Sequence, residues 1–296
     1  MESKISKHPI QKDKKYDFSI LIPTWNNLGL LQNCLTSIEK NSVLKIQPIV
    51  IVNEGSDGTL EWIRDSNKYD YLHSENNLGI CYALNIARPM VKSDYIMYAN
   101  DDMYFLPDWD VLIMHEIHMI GHHNFMLSAT LIEPHNTGNR CVSVADFGDS
   151  LETFSEDALM NSYTRYKKSD WKGSTWPPNI VHVNMWDLVG GMSIEFSPGM
   201  YSDPDFSMKL YKAGVRHFKG LGNCLVYHFG SKSTTRIRKN NGRNTYLMKW
   251  GMTANSFSSK FLRTGEPWSP LNSPPKLNAF HLFINQLKRM KGAMSY

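Results

Sequence analysis

From residue 18 to residue 102 the sequence repeats one rhythm: a short apolar run, a stretch with helical spacing, then the next apolar run. Residues 18–23 are apolar and stopped by proline, which is the pattern of a strand buried on both faces. Residues 27–40 place Leu28, Leu31, Leu35 and Ile38 at helical spacing. A second apolar run spans 46–52 and closes on turn formers at 53–58. A helix over 59–66, a strand over 69–73, a helix over 78–91 and a strand over 95–99 complete the series. The last strand runs directly into Asn100-Asp101-Asp102. Such alternation predicts an α/β fold on an open, mostly parallel sheet flanked by helices. Ligands of these sheets bind beyond the C-terminal strand ends. Three polar clusters fall there, at 24–27, 53–57 and 100–102. Neither G-x-G-x-x-G after the first strand nor G-x-x-x-x-G-K-[ST] occurs, which argues against dinucleotide oxidoreductases and P-loop enzymes.

Residues 125–200 have no clean period and read as loops and strands framing a second substrate. A helix is expected over 205–213, with Phe206, Leu210 and Tyr211 apolar and Gly214 as its stop. Residues 264–275 read as a linker. Leu277, Phe280, Phe283, Ile284, Leu287 and Met290 then share one face of a final helix.

Charge divides the chain. Twelve of its 32 Lys and Arg lie in 232–296 against one acid, Glu266, which leaves 20 bases and 27 acids before them. A basic tail on an acidic body needs an anionic partner: phosphates, nucleic acid, a membrane surface or the body itself. The bases carry no recognised nucleic-acid module, so nucleic acid is not the expected partner. The final helix either docks on the body or rests peripherally on an anionic membrane. The polar, lysine-rich leader at 1–16 has no secretory core, and no run approaches ~18 apolar residues. A cytoplasmic location is expected. The four cysteines, with no C-x-x-C pair, give neither a zinc pattern nor a disulfide framework.

Four constellations bear on chemistry, each with a plainer reading beside it. Asp101-Asp102 at a strand end fits Mg²⁺ or Mn²⁺ bound together with substrate phosphates, or a solvated turn. Asp203 and Asp205 precede a helix. Asp205 fits a cap there, and Asp203, one step further out, fits a cap or a general base. His228, ending an apolar run, is a core residue or a ligand for a transition ion. His115 and His118, with His122 and His123 behind them, imitate a zinc site but miss H-E-x-x-H, so they read as a polar helix face.

Taken in order, these segments resemble the family 2 glycosyltransferases of GT-A fold, in particular the rhamnosyltransferase-like branch. Residues 18–27 are similar to the family's opening strand and base-binding loop. Residues 51–59 resemble its second loop, with Asn53 where Asp is usual. Residues 77–85 resemble its N-x-G…N segment, and Asn100-Asp101-Asp102 stands at its D-x-D position with Asn first. Residues 203–214 look like the segment carrying the family's base, with Ser202 for the usual Glu and Lys209 for the usual Arg. His228 with Ser233, and Arg243-Asn244, resemble its late elements. The match spans about residues 17–250.

The resemblance implies a GT-A domain over 17–235, with a nucleotide-binding half to 102 and an acceptor half after it. A basic, mostly helical extension fills 236–296. It implies an inverting transfer of a sugar from a nucleotide-diphosphate donor to a glycan or lipid-linked acceptor. Asp203 is then the base, and Asp102 with His228 holds a divalent ion, Mn²⁺ or Mg²⁺. Pro23, Thr24, Asn26, Asn53, Ser56, Asp57, Asn77, Gly79, Asn100 and Asp101 are expected around the donor nucleotide. Arg236, Arg238 or Lys232 is expected to close over the diphosphate. Trp186, Gly191 and Asp205 are assigned to the acceptor. A sugar-phosphate nucleotidyltransferase and a non-catalytic nucleotide- or glycan-binding protein are the alternatives. The Gly-rich, Arg-containing loop of the former is not seen.

Overall fold

The computed structural model describes residues 4–10, 15–230, 240–270, 275 and 279–293. Strand β1 (Ile5–His8) lies in the polar leader. The four expected strands follow as β2 (Phe18–Trp25), β3 (Ile46–Asn53), β4 (Asp70–Ser74) and β5 (Tyr95–Tyr98). They pair in parallel in the order β4-β3-β2-β5, and β1 caps the β4 edge antiparallel. Helices α1 (Leu28–Asn41), α2 (Thr59–Ser66) and α3 (Gly79–Ala87) connect them.

The second half adds β6 (Met103–Phe105), α4 (Trp109–Ile120), β7 (Phe125–Glu133), β8 (Ser143–Val144) and α5 (Glu156–Ser162). After them come β9 (Trp171–Lys172), β10 (Asn179–His182), α6 (Val183–Val189), α7 (Ser202–Lys212) and β11 (His217–His228). Strand order continues from β5 through β10, β7 and β11 to β6. Here the sheet departs from the parallel expectation, because β10 runs antiparallel to both its neighbours and β6 antiparallel to β11. Overall the sheet is mixed, with its parallel block in the first half.

Alternation along the strands builds a core on each face. Ile20, Ile22, Val50 and Val52 pack toward α1, α2 and α4 through Leu31, Leu35, Ile63 and Trp109. Leu21, Ile49 and Ile51 belong to the opposite core, with Leu84, Trp186, Phe206 and Leu210 from α3, α6 and α7. Helices therefore cover both faces and leave the C-terminal strand ends open. His115 and His118 are exposed on α4, as a polar helix face requires.

Helix α7 begins three residues earlier than its apolar pattern suggests. Tyr201 takes a left-handed conformation (φ 70°) and turns the chain into the helix at Ser202. Pro204 is tolerated there because first-turn N–H groups have no intrahelical acceptor. Asp203 thus sits on the first turn and is not a step outside it.

Beyond the sheet, α8 (Gly242–Trp250) leads to α9 (Ala254–Ser256), which widens into a further helical turn at Phe257–Leu262, and then to α10 (Ala279–Ala293). Asp205, fully buried on α7, ties α8 to the body. Its Oδ1 accepts the Trp250 indole N–H at 2.7 Å and pairs with Lys249 Nζ at 2.9 Å. Asn244 on α8 donates to the Gly292 carbonyl of α10, whose Phe283, Leu287 and Met290 remain exposed. Among the described residues no helix is long and apolar enough to cross a membrane.

Removing the carboxylate leaves the Trp250 N–H and Lys249 without their buried acceptor. Asp205→Ala is therefore expected to lower folding stability by about 2–3 kcal/mol. Urea denaturation of the two proteins measures it.

Candidate active site

The open strand ends meet at a cavity of about 480 Å³. Its floor is the end of β5, where the chain passes Asn100, Asp101 and Asp102 before turning into β6. The register of β6 on β11 sets Met103 opposite His228, and the Phe229 N–H donates to the Asp102 carbonyl at 3.1 Å. Sheet pairing alone thus brings His228 to Asp102. Nε2 of His228 lies 3.4 Å from Asp102 Oδ1. Its Nδ1 is 2.8 Å from Oε1 of Glu133, the last residue of β7, which runs parallel to β11.

Two buried neighbouring carboxylates repel each other. Burial first, and then the Asp102 charge, push Asp101 up to about 7, against the lowering influence of the nearby Thr24 and Asn27 side chains. Burial alone would lower His228, but the Asp102 charge and hydrogen bonds to Asp102 and Glu133 prevail and push it up to about 10. The acidic floor therefore demands positive charge. Asp102 Oδ1 and His228 Nε2 converge as an oxygen and a nitrogen donor, with Glu133 fixing the far side of the ring. A divalent ion held by a carboxylate and a neutral imidazole uses this donor chemistry. Among the described residues no group of three or more His, Cys, Asp or Glu is arranged to hold an ion unaided. The pair fits an ion that takes its remaining ligands from substrate oxygens.

On the β2–β3 side, Pro23, Thr24, Asn53, Asn77 and Gly79 line the cavity. Asn53 ties three segments together. Its amide donates to the Thr24 carbonyl at 3.2 Å, and its Oδ1 accepts the Leu78 N–H at 3.0 Å. An Asp in its place could accept but not donate. Asn77 Oδ1 accepts the Gly79 N–H at 2.8 Å. Gly79 has φ 70°, and an added Cβ would stand 2.6 Å from Pro198 Cα, so the close approach to the 197–199 loop requires glycine.

Asn26, Ser56 and Asp57 do not line the cavity; they lace its rim. Asn26 Oδ1 accepts the Ser56 N–H, while Asp57 accepts the N–H of Leu28 and both the N–H and hydroxyl of Thr59. Burial opposes these bonds, yet they hold the Asp57 carboxyl below its ordinary range. Arg236 and Arg238, with Lys232, lie outside the described residues.

Across the floor, Asp203 faces the cavity from α7, and burial raises its carboxyl to about 7. Tyr98 stands beside it, and burial and then the Asp203 charge raise its phenol. The residues assigned to the acceptor are displaced from the cavity. Trp186 is buried in the core against Phe206, with ring centres 5.1 Å apart. Gly191 sits where a Cβ would meet Asn85 Oδ1 at 2.3 Å, so it serves the packing of the loop after α6 on α3. Asp205 is consumed by Lys249 and Trp250.

A model of glycosyl transferase family 2 matches residues 19–168, half of the sequence. The chain belongs to that family. Among characterised members, it is 27% identical to the hyaluronan synthase of Pasteurella multocida over 242 residues, 79% of this chain and 21% of that enzyme. It is 28% identical to the chondroitin synthase of Pasteurella multocida strain Pm70 over 218 residues, 71% of this chain and 20% of that one. The chain thus spans about a fifth of the length of these relatives. Among solved structures, S. aureus TarS 1-349 in complex with UDP-GlcNAc aligns with TM-score 0.57 and 14% identity, covering 95% of this chain and 73% of that one. Likeness at that identity establishes the fold, which is GT-A.

Sequence reasoning missed Glu133, Trp171, Trp176, Cys141 and the 198–200 loop, all of which line the family 2 cavity. Glu133 left a faint signal, an acid closing a long apolar run. Asn53→Asp sets a carboxylate against the Thr24 carbonyl, and its expected cost is about 1–3 kcal/mol. A thermal melt measures it.

Proposed function

We propose that this chain transfers a sugar from a nucleotide-diphosphate donor to a hydroxyl of a carbohydrate or lipid-linked acceptor, with inversion. The observation that carries this reading is the convergence of Asp203 and the Asp102–His228 pair on one cavity at the strand ends. The TarS complexes with UDP and UDP-GlcNAc make uridine-diphosphate sugars the first donors to test. The two synthase relatives make glycan chain ends the first acceptors.

In this mechanism the base and ribose lie over β2 and β3, beside Thr24, Asn53 and Asn77. The diphosphate reaches the floor at Asp101 and Asp102. A divalent ion there, Mn²⁺ or Mg²⁺, supplies charge stabilisation to the leaving diphosphate. Asp102 and His228 would hold it, and Glu133 would keep the His228 ring turned toward it. Asp203 takes the proton from the acceptor hydroxyl as that oxygen attacks the anomeric carbon. The new carbon–oxygen bond forms as the bond to the diphosphate breaks, and the nucleoside diphosphate departs.

A base raised to about 7 is active only when deprotonated, so kcat should fall as pH drops below about 7. Asp203→Asn should abolish transfer and leave donor binding intact. It should not unfold the protein at pH 8, because it removes a charge whose burial disfavours the folded state. Equal turnover by this variant eliminates Asp203 as the base. Chelation should suppress donor binding measured by calorimetry, and full activity without metal rules out the Asp102–His228 assignment. Release of nucleoside diphosphate from a panel of nucleotide sugars separates transfer from nucleotidyl transfer, which releases pyrophosphate, and from binding alone.

The exposed Phe283, Leu287 and Met290 of α10, beside Lys288 and Arg289, support peripheral contact with an anionic membrane. Co-sedimentation with phosphatidylserine vesicles, absent for Phe283→Ser/Leu287→Ser, tests it.

A further inference from the structure

Every residue from 171 to 180 is buried except one, Trp176, which is 38% exposed. The backbone beneath that ring is held on both sides. Ser128 Oγ donates to the Trp176 carbonyl at 3.2 Å and lies 2.6 Å from Ser174 Oγ. Asn179 Nδ2 donates to the Thr175 carbonyl at 3.1 Å, and the Ala129 N–H donates to the Pro178 carbonyl at 3.3 Å. Burying an indole is strongly favourable, as Trp171 of the same segment shows, yet the Trp176 ring is left in solvent on a pinned backbone.

Its place in the sheet says what it faces. β10 runs antiparallel to β5 with Asn179 opposite Tyr98. Trp176, just before Asn179, and Asp101, just after Tyr98, therefore leave the sheet at the same edge, and both line the cavity. Strand order puts β3 and β2 on one side of β5, and β10 and β7 on the other. The nucleotide side and the Trp176 side are thus separated by the acidic floor. On this side the cavity wall carries Leu131, Val142, Cys141 and Pro177, with Glu133 at the end of β7 as its acid.

We infer that Trp176 is the platform on which a pyranose ring of the acceptor glycan stacks. This rests on the glycosyltransferase reading above and assigns the acceptor subsite within it. The C–H-rich face of a pyranose packs on an indole, and its hydroxyl edge stays free to present the attacking oxygen toward Asp203. A ring held on a rigid mount costs little ordering entropy when the sugar arrives.

The test compares wild type, Trp176→Ala and Trp176→Phe on a printed glycan array with UDP and Mn²⁺ present, and measures hydrolysis of UDP-sugars by each. Wild type should retain a defined group of glycans, and Trp176→Ala should weaken that retention about tenfold or more. Trp176→Phe should keep most of it, and the KM for donor in hydrolysis should move far less than glycan retention does. Unaltered glycan retention in Trp176→Ala, or no retention by wild type, overturns the inference. A rise in the KM for donor in Trp176→Ala with glycan retention intact assigns the ring to the donor sugar and overturns it equally. Loss of UDP-sugar binding and hydrolysis in wild type would instead refute the transferase reading, which is a separate outcome.

Discussion

The site rests on a pair of adjacent carboxylates buried at the end of the central strand. Asp101 and Asp102 leave β5 where three strand ends converge, and neither can shed its charge cheaply into solvent. Their repulsion has to be met by cationic or protonated partners. The fold meets it through the return of β6 along β11, which fixes His228 against Asp102, and through Glu133, which holds the other ring nitrogen. A carboxylate–imidazole–carboxylate chain results.

Much of this was legible before any coordinate. The first hundred residues carry full strand and helix periods, so the parallel block and its three polar strand ends follow from pattern alone. Asn53, Asn77, Gly79, Asp102, Asp203 and His228 all reach the cavity because they stand at or just beyond element ends. What failed has physical causes. Pro204 masked the start of α7, since proline is compatible with a first turn but reads as a break. Trp186 and Asp205 look functional by type, and only packing reveals that one fills the core and the other binds Lys249 and Trp250. The far wall was illegible because β8, β9 and β10 are two to four residues long, too short for a period to register.

The cavity's two sides are built differently. Toward β2 and β3 it is made of side-chain amides and backbone groups that lock one loop to the next, as Asn53 does for Thr24 and Leu78. Toward β7 and β10 it adds aromatic and aliphatic side chains on a pinned backbone, with Glu133 engaged by His228. The first suits a ligand rich in directional hydrogen bonds, the second one with an extended apolar face.

The link from Asp205 to Lys249 and Trp250 carries a consequence for modularity. The same first turn holds Asp203, which faces the cavity, and Asp205, which faces α8. The orientation of that turn is therefore set partly by chain that follows the last strand of the sheet. Grafting or shortening at the end of β11 would cut the protein where its sheet ends but not where its working unit does. Phe257 and Leu262 still fill the core, and the backbone to Trp268 still bonds to β9 and Asp170.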